Sequence, residues 1–299
     1  MVSDAKIASL KANLFHRSHA AISDWHTFRW HPDAYLIQAD GVGSSQALGI
    51  DVLGTIKVSD ERDRIIGAIA RRCGVPGEGP WKLKLEWTDP ANFLREPEAI
   101  QVDAIAFGKN GLLVFECKFA EAGGGCGQPT PIATGIHSGL RQCTGDYLLQ
   151  PNPLNGRASR CALTGKGVRY WELIPEVFGL DPEQDYRPCP FRDDSYEWMR
   201  NVLLAETLAA ARGVFGSVVA VYADGNFNTA ERVRSGVLGR PAASGKKLIF
   251  PMSYQEIVAL AESLSDHPDQ WVELGAWIDR KIAAAEAQQG SIGSETTNA

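Results

Sequence analysis

VDAIAFGKNGLLVFECKF, residues 102–119, is almost wholly apolar, yet it places Asp103, Glu116 and Lys118 inside what the pattern marks as core. Two apolar runs flank the turn-forming GKNG, so the stretch predicts a β-hairpin. Side chains alternate across a strand, which puts Glu116 and Lys118 on one face and Phe115, Cys117 and Phe119 on the other. The turn decides what stands opposite. Centred on Lys109-Asn110 it sets Asp103 against Glu116; centred on Asn110-Gly111, the favoured type I′ pair, it sets Asp103 against Lys118. In both registers the three charges share a face, with cross-strand neighbours about 5 Å apart.

Two carboxylates that close on a half-buried face repel, and the repulsion favours protonating one of them unless a cation lies between. Lys118 supplies one positive charge, and a divalent metal supplies more. Magnesium takes only one or two protein carboxylates and completes its shell with water and substrate phosphate oxygens, so the pattern fits phosphodiester cleavage. The metal would polarise the phosphoryl oxygen and acidify a bound water, while Lys118 would orient the nucleophile or stabilise developing charge. A structural ion pair with a third, partly solvated carboxylate is the plainer reading. The acid-x-Lys spacing alone does not decide, because Asp4 with Lys6 and Asp279 with Lys281 repeat it in polar sequence, where exposed charges need no explanation.

Upstream of the hairpin, SSQALGIDVLGTI from Ser44 and SDERDRIIGAIARRCG have helical periodicity. The second carries Ser59 or Asp60 as N-cap and Gly74 as stop. WKLKLEW alternates as a strand. Downstream come a Gly-rich loop, AEAGGGCGQPTP, then a helix over SGLRQCTGDYLLQ and an irregular Pro-, Gly- and Arg-rich stretch. YEWMRNVLLAETLAAARG reads as a strong helix ending at Gly213, SVVAVYAD as a buried strand, NTAERVRSGVL as a helix, KKLIF as a strand and SYQEIVALAESLS as a helix.

The 299 residues suit one large domain, and 44% hydrophobic with 22% charged residues is ordinary for a folded chain. A formal charge of -6 excludes a global basic field for nucleic acid, so any such contact is local or metal-assisted. No run approaches the roughly 18 apolar residues of a membrane span, and the N-terminus lacks a signal peptide's apolar region; a cytoplasmic location without membrane contact is the simplest expectation. That setting argues against disulfides among the six cysteines. His16, His19, His26 and His31 fit no ligand spacing and read as packing or surface residues. Nothing specifies an oligomeric state.

With Asp103 as a first acid, Glu116-Cys117-Lys118 as an acid-x-Lys triplet, helices before and a three-stranded meander around them, the chain resembles the PD-(D/E)XK nuclease superfamily. The likeness covers roughly residues 44–149, and SVVAVYAD resembles a later core strand. Val102 stands where the motif's name has Pro, a position the superfamily varies. The resemblance implies an α/β, restriction-endonuclease-like core: a central mixed sheet flanked by helices, with a loop-rich, Cys-containing insertion at about 151–195. The domain would span 44–287, after an N-terminal extension (1–43) and before a disordered tail (288–299).

The resemblance also implies a nuclease using Mg2+ or Mn2+, with DNA as the substrate most relatives cut and RNA left open. Asp103 and Glu116 would be metal ligands and Lys118 the assisting cation. An acid from the first core helix often adds a ligand; Glu61 is the candidate, with Glu86 and Glu98 as rivals. A polar residue on the helix after the lysine strand often faces the site, and Gln142 takes that place. Some relatives carry an iron-sulfur cluster on four cysteines, which opens that role, or a zinc site, to Cys126, Cys143, Cys161 and Cys189. No C-x-x-C pair supports it, and separate thiols are the other reading. A catalytically silent nucleic-acid or protein-binding module on the same fold is the rival function. A metabolic α/β enzyme should show a phosphate-binding glycine motif, and GGGCGQP does not open a helix after a strand.

Overall fold

The alternation in KLKLEW and in the two hairpin arms builds three antiparallel strands: β1 (Lys82–Thr88), β2 (Gln101–Phe107) and β3 (Gly111–Lys118). They belong to a computed structural model that describes residues 2–33, 36–120, 124–181, 183, 188–225, 231 and 242–295. β4 (Phe215–Tyr222) pairs with β3, and β5 (Ile249–Ser253) with β4, both in parallel, giving the order β1-β2-β3-β4-β5. β3 is therefore central. Its apolar positions are buried on both sides, which is why it reads as a continuous hydrophobic run.

Helices cover both faces, so the fold is an α/β core with a mixed five-strand sheet. Leu113, Phe115, Cys117 and Phe119 pack with Val52, Ile65, Ile257 and Trp271 on one side; Ile105, Leu112 and Val114 pack with Ile174, Val202 and Leu203 on the other. The first group of helices comprises α2, a continuous run of Ser45–Gly49, a π-helical turn Ile50–Gly54 and Thr55–Val58, together with α3 (Arg62–Arg72), α6 (Tyr254–Leu264) and α7 (Asp269–Glu295). The second comprises α4 (Tyr170–Phe178) and α5 (Tyr196–Arg212). Gly49 lets α2 approach β3 closely, since a Cβ there would lie 3.0 Å from Cys117 Sγ. α3 stops at Gly74, whose φ of 68° permits the 6→1 bond from Val75 N–H to the Ala70 carbonyl.

Several expectations need correction. The helix expected over SGLRQCTGDYLLQ does not form: Gly139, Gly145 and Tyr147 take positive φ, and the segment runs as irregular turns. Conversely, the 151–195 stretch holds α4, because YWELIPEVF buries Tyr170 and Ile174 against α5's layer despite Pro175. α7 continues to Glu295, past the expected boundary at Gln288. The NTAERVRSGVL segment lies, apart from Glu231, outside the described residues. Among those described, no helix is long and apolar enough to cross a membrane.

The N-terminal residues are not an appendage. Leu10 and Leu14, at the C-terminal half of α1 (Asp4–Asn13) and just beyond it, pack with Ile22, Trp30, Ala47 and Ile50 in a small core against α2. Fully buried Asp51 ties the layer together. Its Oδ1 accepts the Phe15 N–H (2.6 Å), and its Oδ2 accepts from Trp277 Nε1 and Lys281 Nζ, each at 2.8 Å. Burial pushes the Asp51 carboxyl up, against the pull of Lys281. Lys281, expected at the surface, is thus buried and paired.

Candidate active site

The hairpin turns on Lys109-Asn110: Gly108 N–H donates to the Gly111 carbonyl (2.8 Å), and the ladder pairs Phe107 with Leu112 and Ala104 with Phe115. Continued one step, that register sets Asp103 opposite Glu116. On β2's other side, Leu85 pairs with Ala104 and Trp87 with Val102, so Glu86 stands opposite Asp103. Glu86, Asp103 and Glu116 therefore form a row across three neighbouring strands. Backbone pairing between β2 and β3 ends at Ala104 and Phe115; beyond it Cys117 N–H donates to Asp103 Oδ2 (2.6 Å).

Each acid has its own partners. Glu86 is buried, with a φ of 47° that breaks the strand's alternation; it accepts from Gln101 Nε2 (2.6 Å) and Gln46 Nε2 (2.9 Å), and its Oε2 lies 3.0 Å from His31 Nε2. Glu116 accepts from Asn201 Nδ2 (2.7 Å) and pairs with Lys118 Nζ (2.8 Å). Lys118 is buried and its ammonium also meets Glu197 Oε2 at 2.8 Å, an oxygen that accepts Gly124 N–H at the same distance. His31, Asp103, Glu116, Lys118, Glu197 and Asn201 line one cleft of about 300 Å³, along with Arg200, whose guanidinium is engaged by both oxygens of Glu96.

Electrostatics mark this cleft as short of positive charge. Burial first, then Glu116 and Glu86, push the Asp103 carboxyl well above the usual carboxylate range, and Lys118 and the Cys117 N–H only partly oppose them. Burial alone would lower the Lys118 ammonium, but Glu116 and Glu197 outweigh it and hold Lys118 above the ordinary lysine range. Burial would likewise raise Glu197, and Lys118 reverses the sign. The bond to Glu86 raises His31, with burial opposing. Donor atoms of His31, Glu86 and Asp103 lie within 4.8 Å of one another, a spacing that could hold a metal ion.

The hairpin triad Asp103, Glu116 and Lys118 is thus brought together, whereas Glu61 and Gln142 are elsewhere. Glu61 caps the far end of the α-helical layer: it accepts from Ser265 Oγ (2.5 Å), Asp266 N–H (2.6 Å) and Trp271 Nε1 (3.3 Å), and pairs with Arg64 (3.0 Å). These donors hold its carboxyl low against burial, and none belongs to the cleft. Gln142 sits in the irregular loop, its N–H on the Gln128 carbonyl (3.2 Å). The polar residues on the helix facing the site are Glu197 and Asn201 of α5, four positions apart and so on one side of it. Asn201, 2% exposed amid Trp198, Val202 and Leu203, interrupts an apolar stripe, a signal legible in YEWMRNVLL. His31 gave no such signal, whereas Glu86, named from the sequence as a rival to Glu61, reads in KLKLEW as an outward-facing residue.

The family model described as Restriction Endonuclease associating with ARP matches residues 8–274. The chain belongs to this family, REase-ARP. The match covers the N-terminal segment that delivers His31, and it agrees with the PD-(D/E)XK resemblance and with the five-strand mixed sheet. No curated protein and no solved structure matches the chain.

Proposed function

We propose that this REase-ARP chain is a metal-dependent nuclease that hydrolyses phosphodiester bonds of DNA. The observation that carries the reading is the row Glu86, Asp103 and Glu116, with Asp103, Glu116 and Lys118 lining one cleft. The oxygen-rich donor set fits a hard divalent cation, Mg2+ or Mn2+, whose charge would relieve the repulsion that raises Asp103. Asp103 and Glu116 would hold it, with Glu86 as the additional acid in place of Glu61. Bound there, the metal would supply Lewis-acid polarisation of the phosphate and an acidified water.

The chain's own groups do the rest. Lys118, held protonated, acts as a cation and hydrogen-bond donor rather than a base. Two of its N–H bonds are directed at Glu116 and Glu197 among the described residues, which fixes the ammonium for a water or a phosphate oxygen. In the reaction a water oxygen bonds to phosphorus and gives up a proton, the bond to one sugar oxygen breaks, and that oxygen takes up a proton from a neighbouring water, leaving a phosphomonoester and a hydroxyl. Asn201 orients Glu116, and His31, Gln101 and Gln46 orient Glu86. With the acids unneutralised the cleft would repel a phosphodiester, so substrate and metal would enter together. The family's description pairs its endonuclease with ARP, and an ARP partner belongs to the same proposal.

The test is cleavage of plasmid and single-stranded DNA with magnesium, with manganese and with EDTA. Metal-dependent cutting that Asp103→Ala and Glu116→Ala abolish is expected. Wild-type rates in either variant would misplace the site, and DNA binding without cleavage would favour the silent binding module.

A further inference from the structure

Arg200 lies one turn after Glu197 on the same side of α5, and it lines the cleft with Lys118. The loop between β1 and β2 is built to meet it. Buried Asp89 opens that loop, its carboxylate oxygens accepting the Ala91 (3.0 Å) and Phe93 (2.7 Å) N–H groups. Asn92 then brackets Glu96: its Nδ2 donates to the Glu96 carbonyl (2.7 Å), and its Oδ1 accepts the Glu96 N–H (3.0 Å). Asn92 and Arg95 take positive φ, 45° and 53°. Asparagine tolerates left-handed backbone, but an arginine adopts it only where surrounding bonds impose it. The loop so fixed delivers a buried carboxylate to Arg200.

An ion pair tying loop to helix would explain Glu96, but it does not use up the guanidinium. Arg200 Nε donates to Glu96 Oε1 (2.8 Å) and Nη2 to Oε2 (2.7 Å), which occupies the inner fork of N–H groups. Glu96 Oε1 also accepts the Tyr170 hydroxyl, which lies 3.2 Å from that of Tyr196, so the carboxylate is held from its other side. The outer fork, Nη1 with the remaining Nη2 N–H, has no partner among the described residues. Glu96 does not line the cleft; it borders a neighbouring hollow with Tyr170 and Tyr196, and Arg200 borders both. The guanidinium is thus anchored from outside the cleft, and its side chain is 24% exposed. A flat, pre-oriented pair of N–H donors on a permanent cation matches two oxygens of a phosphate. Lys118 offers no such fork, since its ammonium is directed at Glu116 and Glu197 within the cleft itself.

We propose that Arg200 is a substrate-binding residue whose outer N–H fork grips one backbone phosphate of the nucleic acid, with Glu96 as its positioning residue. The inference rests on the nuclease reading for its substrate. The test is DNA binding by the full chain in calcium, read by fluorescence anisotropy, for wild type, Arg200→Lys and the double variant Arg200→Met with Glu96→Gln. Lysine keeps the charge beside Glu96 but loses the fork; the double variant leaves no buried charge unpaired, and thermal unfolding checks that each is folded. Expected is a rise in Kd of about ten-fold for either variant, and for the double variant a log-log salt slope shallower by about 1. Duplexes carrying a neutral methylphosphonate at one linkage at a time then locate the contact. At one linkage the wild type should lose about ten-fold in affinity, whereas the variants, lacking the fork, should lose less than the wild type does. Losses equal in wild type and variants at every linkage would make the pair a structural tie and overturn the proposal; should the double variant not fold, Arg200→Lys decides. Wild type that cleaves DNA beside variants of unchanged affinity would overturn this inference alone, and wild type that neither binds nor cleaves DNA would remove the nuclease reading and the inference together.

Discussion

Replacing Asp103 by Asn should make the metal-free protein more stable while removing its activity. The asparagine keeps the shape and can still accept the Cys117 N–H through its amide oxygen, but it carries no charge. Donor oxygens of Glu86 and Asp103 lie within 4.8 Å, and two unit charges at that distance repel by about 3.5 kcal/mol at an effective dielectric constant of 20. Attraction to Lys118 and partial protonation of Asp103 reduce the net relief to roughly 1–3 kcal/mol. For a chain of this size that is a rise in Tm of about 2–10 °C.

The sign with pH follows from the elevation of Asp103. The folded state holds the Asp103 proton more tightly than the unfolded chain does, so wild-type stability is fully present below the ordinary aspartate range and is lost as pH rises through the elevated value. The asparagine variant does not titrate there, so its advantage is absent at low pH and largest above that value. Thermal unfolding in EDTA across a pH series reads this directly, and a second series with magnesium should stabilise the wild type alone. An asparagine variant no more stable than wild type in EDTA at neutral pH and above would refute the claim that the cleft lacks positive charge.

Lys118→Ala should lower turnover by about 10²–10³-fold in single-turnover cleavage while leaving DNA binding in calcium nearly unchanged; weak binding with normal turnover at saturation would make Lys118 a substrate contact. Glu61→Gln should cost about 1–3 kcal/mol in denaturant titration, because its part-buried donors lose a charged acceptor, yet leave the magnesium dependence of cleavage as in wild type. Asp51→Ala should be the most damaging of the set, about 3–5 kcal/mol, since it leaves Lys281 buried without its partner. A loss below about 1 kcal/mol there would mean that Lys281 reaches water in the variant.

The hairpin and its flanking helices were legible because their cause is local. Period-two alternation, a turn-forming dipeptide and three charges in an apolar run depend on neighbours in sequence, and they place Asp103, Glu116 and Lys118 on one face without further information. What the sequence hid depends on long-range contacts or special backbone. Glu86 faces Asp103 only through a left-handed φ inside a strand, and His31 reaches it only because the N-terminal residues pack on α2. Gln142 failed as a site residue because its segment, though helical in pattern, is committed to backbone bonds with Gln128 and to positive φ at its glycines.

The acid row runs from the sheet's centre to its edge, and this gives the two ends of the site different resistance to opening. β3, carrying Glu116 and Lys118, is hydrogen-bonded on both sides and lies beneath helices on both faces; β1, carrying Glu86, has one strand neighbour. Amide protons of β3 should therefore exchange only with global unfolding, whereas those of β1 and the His31 segment exchange through smaller excursions. One end of the cleft can loosen while Glu116 and Lys118 keep their positions.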